Sequence, residues 1–350
     1  DKCCFQKFGW LPFVNTPIYR TDASDVEFEK LKYPYYKIGK IPGTKLPCII
    51  NLDHAISHHL ALLGVTGSGK SYLAREIIEE IKQDTKVICV DFNKEFILTL
   101  NPKPDSIVSQ DNEKSITENI NFCATEYEKF ANHQDKPKIE KAIKDIKTKF
   151  NESIDQFICD ENNNIKIFEL PDVVNTSSIF EYTKYFFKTL FEIAKKYQIE
   201  NKTKKICIVL EEAHTVIPEW NFASSSDKTS QSVVNSIGQI ALQGRKYGVG
   251  FIVIAQRTAN VSKTILTQCN TVVCFQAFDE TSFNFLGNYI GKDIVHALPN
   301  LKPFHAVVAG KGIKSNVPMI INLEREAKTE INLQTEDVYL NNDLKESSQF

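Results

Sequence analysis

The stretch Leu60-Ala61-Leu62-Leu63-Gly64-Val65-Thr66-Gly67-Ser68-Gly69-Lys70-Ser71 constrains this chain more than any other. A short apolar run leads into G-x-x-x-x-G-K-[ST], and helix-forming sequence follows from Tyr72 to Lys82. Strand, glycine-rich loop and helix in that order make a phosphate-binding loop. The glycines let the backbone curl so that successive N–H groups face phosphate oxygens. Lys70 is spaced to reach the outer phosphates and the Ser71 hydroxyl to hold Mg²⁺. The helix opening at the loop adds its dipole and its first-turn amides. A nucleoside triphosphate is therefore expected against Gly64, Thr66, Gly67, Ser68, Gly69, Lys70 and Ser71.

Such a loop needs a sheet around it, and the chain supplies the strands. Lys86-Val87-Ile88-Cys89-Val90-Asp91 is a continuous apolar run ending in an acid, suited to a strand buried on both faces of a parallel sheet. Ligands sit at the C-terminal ends of such strands, which places Asp91, and Glu95 four residues on, near the nucleotide or near the neighbouring subunit. Ile206-Cys207-Ile208-Val209-Leu210 ends in Glu211-Glu212, the Walker B arrangement. There Glu211 is suited to the Mg²⁺ shell and Glu212 to orienting or deprotonating the attacking water. Gly250 to Ala255 is a further buried strand tipped by Gln256, an amide able to sense an outer phosphate. Ile165 to Leu170, Thr271 to Phe275, His305 to Val308 and Val317 to Ile321 complete the strand set. The order predicts an α/β fold: a RecA-like P-loop core with a largely parallel sheet, interrupted by a helical insertion.

Five segments are expected. Residues 1–45 read as a β-rich segment, 46–104 as the first half of the core, and 105–164 as the helical insertion. Residues 165–325 read as the second half and 326–350 as a polar tail. Within the insertion, apolar residues recur at helical spacing over Ile116–Phe130 and Lys138–Phe150, with Pro137 between the two helices. Tyr36 to Asn51 reads as a hairpin turning at Pro42-Gly43-Thr44. His54, His58 and His59 precede the loop strand without a matching carboxylate or cysteine, so packing or surface roles are expected rather than a metal.

Composition excludes several classes. The 350 residues are 42% hydrophobic and 25% charged, ordinary for a globular protein. No apolar window is long enough to span a bilayer. Nine cysteines form no C-x-x-C pair, and Cys89, Cys207 and Cys274 sit inside apolar runs, which points to a reduced, cytoplasmic setting. The chain starts at Asp1 without methionine and reads as a fragment or a processed chain. A net charge of −2 gives no global pull on nucleic acid, so any DNA contact must be local.

Taken together, Ala61–Ser71, Leu210-Glu211-Glu212-Ala213-His214, Gly244-Arg245-Lys246-Tyr247-Gly248 with Ile254-Ala255-Gln256-Arg257, and Gln268-Cys269-Asn270-Thr271 come in a telling order. They resemble the HerA branch of the HerA/FtsK family of hexameric DNA-pumping ATPases, over about residues 36–325. The resemblance implies a ring with ATP and Mg²⁺ at subunit interfaces. It implies Lys70 and Ser71 on phosphate and metal, Glu211 and Glu212 at Walker B, Gln256 as sensor, and Arg245 as a finger in the neighbour's site. It also implies double-stranded DNA as substrate, and a nuclease or defence effector as partner. Two departures stand out: His58-His59 replaces the Arg-His that such proteins often carry, and the N-terminal barrel is not recognisable. Lys228, Arg257 and Lys263 are candidates for gripping DNA phosphates. The alternative is a nucleotide-switched ring scaffold that regulates an effector with little DNA movement. Near-neutral charge favours the scaffold; the intact Glu211-Glu212 pair and Arg245 favour hydrolysis.

Overall fold

Strands that are apolar on both sides need a cover on both faces, and the chain provides two. The structure, a computed structural model, describes residues 31–90, 95–169, 176–219 and 228–324. Strand β1 (Tyr35–Lys40) pairs antiparallel with β2 (Pro47–Asn51), the expected hairpin, and helix α1 (Leu52–Ser57) follows, capped by the Asn51 side chain accepting from the His54 amide. The phosphate-loop strand β3 (Leu60–Leu63) runs through the glycine loop into α2 (Lys70–Ile81) and then β4 (Lys86–Val90). A short α3 (Glu95–Thr99), the long helices α4 (Gln110–Glu128) and α5 (Lys136–Cys159), and β5 (Ile165–Phe168) come next. Helix α6 (Thr176–Ile199) leads to β6 (Ile206–Leu210), and α7 (Lys228–Gln243) to β7 (Val249–Ala255). The remainder is α8 (Lys263–Leu266), β8 (Thr271–Cys274), α9 (Glu280–Ile290), α10 (Lys292–Val295), β9 (His305–Gly310) and β10 (Met319–Asn322).

All ten strands form one sheet, ordered β2-β1-β10-β9-β8-β3-β7-β6-β4-β5. The block from β8 to β5 is parallel, while β9, β10, β1 and β2 add an antiparallel wing. The parallel strands are buried throughout at β3, β4, β6, β7 and β8. Their side chains alternate between two cores because successive residues of a strand point to opposite faces. Leu60, Leu62, Val87, Cys89, Cys207 and Val209 pack with Leu73, Ile77 and Ile81 of α2. Ala61, Leu63, Ile88, Val90, Ile208 and Leu210 pack with Phe186, Leu190, Ile237 and Ile240 of α6 and α7. Each fully buried Leu, Ile or Phe contributes about 1.5–3 kcal/mol, so these two faces carry most of the driving force.

Helix α4 starts at Gln110, ahead of the apolar stretch that predicted it, and ends at Glu128, short of Phe130, while α5 runs on to Cys159 because Ile154, Phe157 and Ile158 continue its buried face. Ser109 caps α4 and Asp135 caps α5 through side-chain acceptance of backbone amides. Pro137 does not break the pair: it lies in the first turn of α5, where its missing N–H costs nothing. The separation is made instead by residues 129–135, which include a short 3-10 turn at Ala131–His133. The expectations for residues 1–30, the tail from 325 and Asp91 lie outside the described residues. Among the described residues no helix is long and apolar enough to cross a membrane.

Candidate functional site

The C-terminal ends of β3, β7 and β6 meet at one edge of the sheet, and each delivers polar groups. After Leu63 the chain turns through Gly64 at φ 148°, Gly67 at φ 74° and Gly69 at φ 115°. These left-handed conformations are ones that L side chains resist. Gly64 donates its N–H to Ala255 and Val65 to Gln276, which ties the loop to both neighbouring strand ends. Helix α2 then starts at Gly69 with no side-chain cap. Most helices of this length take an N-cap side chain, so a bare N-terminus at the end of a glycine loop suits an anion. Lys70 is buried, and its ammonium donates to the Val65 carbonyl at 2.8 Å across the loop. That observation fits a triphosphate: a buried cation, a helix N-terminus without a cap and a curled backbone converge on one spot.

Opposite the loop, a continuous hydrogen-bonded chain links three strand tips. The Thr66 hydroxyl donates to the Gln256 side-chain oxygen at 2.8 Å, and the Gln256 amide donates to Glu212 Oε1. Sequence reasoning named all three residues but not the chain joining them. Glu212 holds a left-handed backbone at φ 46°, ψ 53°, which turns its carboxylate back toward Gln256. A non-glycine residue in that region costs of order 1–3 kcal/mol and persists where surrounding contacts impose it. His214 Nδ1 lies 3.3 Å from Glu212 Oε2, but the two are aligned too poorly for a hydrogen bond. Glu211 is buried beside it, its amide donating to the Val90 carbonyl at 3.4 Å. Ser71 and Glu211 offer the hard oxygen ligands that Mg²⁺ takes.

Arg245 is elsewhere. It lies in a 3-10 turn, Gly244–Tyr247, immediately before β7 begins. Gln256 follows the other end of that strand, and the six residue steps of Val249–Ala255 span about 20 Å. The exposed Arg245 lines a cleft of about 210 Å³ with Thr85, Lys205, Gly248 and Gly250, all at the N-terminal ends of strands. His54 and His58 lie within electrostatic reach of it, and burial, then the Arg245 and Lys311 charges, push His54 below the usual imidazole range. The structure thus brings Thr66, Lys70, Glu212 and Gln256 together and leaves Arg245 at the opposite end of the sheet.

The three histidines do not act as a set. His54 and His58 stack with centroids 4.0 Å apart. His59 is buried, receives the Phe251 amide proton at Nδ1 and donates from Nε2 to the Ala241 carbonyl. Among the described residues no cluster of three or more His, Cys, Asp or Glu could hold a metal ion.

A family model described as the central domain of helicase HerA matches residues 36–292. A DNA double-strand break repair helicase HerA of Sulfurisphaera tokodaii is 23% identical over 357 residues, covering 83% of this chain and 69% of that one. The HerA of Sulfolobus acidocaldarius is 23% identical over 383 residues, covering 90% and 74%. Among solved structures, the bacterial conjugative coupling protein TrwBΔN70 superposes with a TM-score of 0.50 at 13% identity, covering 91% of this chain and 96% of that one. At such identity that likeness is one of fold.

Proposed function

The chain belongs to the HerA central-domain family, and from that membership we propose that it is an ATP-hydrolysing motor that translocates along or unwinds double-stranded DNA. The observation that carries this reading is the Thr66–Gln256–Glu212 chain facing a phosphate loop whose helix lacks a side-chain cap. Lys70 and the loop amides hold the triphosphate, while Ser71 and Glu211 would hold Mg²⁺, which would neutralise charge on the outer phosphates. Glu212 takes the proton of the attacking water, and Gln256 reports the arrival of the terminal phosphate by exchanging its bond to Thr66. Asp91 is proposed to flank the same nucleotide.

Arg245, about a strand's length from its own loop, is supplied to a second copy. That arrangement requires an oligomer, and a hexameric ring is the proposed form. Arg257 and Lys263, both exposed, would grip DNA phosphates together with Lys228 without reading bases. A nuclease or defence effector is the proposed partner, and the cytoplasm the proposed setting. The segmentation at residues 45, 104, 164 and 325 belongs to the same reading.

Measuring ATP turnover with and without linear duplex DNA at two salt concentrations tests the motor. Strong stimulation that weakens with salt is expected, since phosphate contacts release counterions. Turnover indifferent to DNA at both salts, alongside a tight effector complex, would support a ring scaffold instead.

A further inference from the structure

Of the segment Glu211-Glu212-Ala213-His214, only the two acids enter the hydrolysis proposed above. Glu212 is held from one side. Gln256 donates to its Oε1, while among the described residues its Oε2 has no hydrogen-bond partner and is screened from solvent. Facing that oxygen at 3.3 Å is His214 Nδ1, likewise screened and likewise without a partner. A buried polar atom left unpaired costs stability, and most such atoms in folded proteins are satisfied. What this facing pair lacks is alignment, not proximity. Catalytic hydrogen bonds are commonly long or badly aligned before substrate binds and tighten once it does.

The backbone sets the pair up. Glu212 is left-handed, and the turn Ala213–Thr215 closes straight after it. The Thr215 amide and hydroxyl both donate to the Glu212 carbonyl at 2.8 Å. The Val216 and Ile217 amides donate to the Ala213 carbonyl, and Ala213, Val216 and Ile217 are all buried. The turn is thus rooted in the core and returns the His214 ring against the Glu212 carboxylate. Side-chain exposure is 39% at His214 and 12% at Glu212, so the imidazole has room to turn and the carboxylate has little.

We propose that His214 is the positioning residue of Glu212: in its Nδ1–H tautomer it donates to Oε2 once nucleotide closes the site, and it holds the carboxylate while Gln256 moves. The division of labour follows from the two oxygens. Gln256 is shared between Thr66 and Glu212, and a shift toward an arriving phosphate loosens its grip on Oε1. A donor on Oε2 keeps the carboxylate in place and leaves the Oε1 lone pairs to the water. The proton passes from water to Oε1 as the water oxygen attacks the terminal phosphorus and the bond to ADP breaks. His214 touches neither water nor phosphate and acts only through Glu212. The role rests on the reading of Glu212 as the base and deepens it.

Three substitutions separate this role from packing. An Asn amide nitrogen falls where Nδ1 stands and a Gln amide nitrogen where Nε2 stands, so His214→Asn keeps the donor toward Oε2 and His214→Gln does not. His214→Ala removes it outright. Steady-state hydrolysis by the full chain is expected to show kcat lowered about 10–100-fold in His214→Ala and His214→Gln, the range for a partner that orients a reacting group, with KM unchanged. His214→Asn should recover most of that loss. Urea midpoints of the Asn and Gln variants should agree with each other, so that their contrast in turnover is not one of folding. On a Glu212→Gln background, His214→Ala should add no further loss in single-turnover hydrolysis, because the two residues act as a unit. Asn and Gln variants equally slow, native turnover in His214→Ala, a loss carried by KM, or additive losses in the double variant would each overturn the role. So would a contrast in turnover that merely tracks a contrast in midpoint. Unimpaired turnover in Glu212→Gln alone is a different failure: it removes the base, and the role of His214 with it.

Discussion

Glu212 illustrates how much of this site is decided by single backbone conformations. Its neighbour Glu211 follows the end of β6 and stays buried, whereas Glu212 turns left-handed and meets Gln256. Glu212→Gln keeps the shape and removes the proposed base. Turnover is expected to drop about 10²–10⁴-fold while nucleotide stays bound, readable by single-turnover hydrolysis and retention of labelled ATP. Unimpaired turnover would remove Glu212 from the chemistry. His59 carries a pH dependence of stability. Burial is the main cause that holds its imidazole below the usual range, and the proton on the nearby His58 adds to it. The unfolded chain takes up that proton near pH 6.5, so above about pH 6.5 His59 costs nothing. Below it the unfolded state binds more protons, and stability falls until the folded-state pKa is passed. Urea midpoints measured from about pH 7.5 down to about pH 5 should slope downward, and His59→Gln should flatten part of that slope. His54 and His58, also held low by burial, supply the remainder.

Strand β7 is the element that relates the two ends of the molecule, since Arg245 precedes it and Gln256 follows it. It packs against α1 at Gly250, where a Cβ would meet the Ile56 carbonyl oxygen at 2.2 Å. Backbone cannot swing aside as a flexible side chain can, so Gly250→Ala must push α1 away. A loss of about 1–3 kcal/mol is expected in denaturant unfolding, the usual cost of overpacking; an unchanged midpoint would show that α1 is loosely seated. Much at this scale was legible in the sequence. Buried parallel strands read as unbroken apolar runs, so β3, β4, β6, β7 and β8 stand out, and each tip residue follows from where its run ends. That Arg245 lies away from its own loop is also implicit, because a residue just ahead of a parallel strand sits at the end opposite the ligand edge. What was not legible is what tertiary contact imposes. Nothing local announces that Glu212 and Phe304 adopt left-handed backbones, or that Lys40, Phe304 and Asn322 converge, because the convergence depends on β1, β9 and β10 pairing across long sequence separation. Pro137 misled for the converse reason: a proline marks a helix start as readily as a stop.

At the scale of the whole molecule, the phosphate cradle and Arg245 occupy different ends, so a contact joining them between copies is head-to-tail. Such contacts close into rings or run on as filaments. The arginine is exposed, and among the described residues it forms no ion pair, which leaves its charge available to a neighbour's phosphates. A guanidinium donated in this way is worth about 10³–10⁵ in turnover in related phosphoryl transfer. Arg245→Ala and Lys70→Ala should each abolish turnover, the first through the finger and the second through the cradle. Mixed in equal amounts after subunit exchange, they recreate intact sites wherever an Arg245→Ala cradle faces a Lys70→Ala neighbour. Random mixing places such a pair at about one interface in four, which bounds the recovered rate if sites fire independently. Recovery below that bound, rising with dilution by native subunits faster than linearly, would indicate that neighbouring sites fire in sequence. A mixture as inactive as its two components would mean that Arg245 completes no neighbour's site, and the head-to-tail seam would lose its chemical purpose.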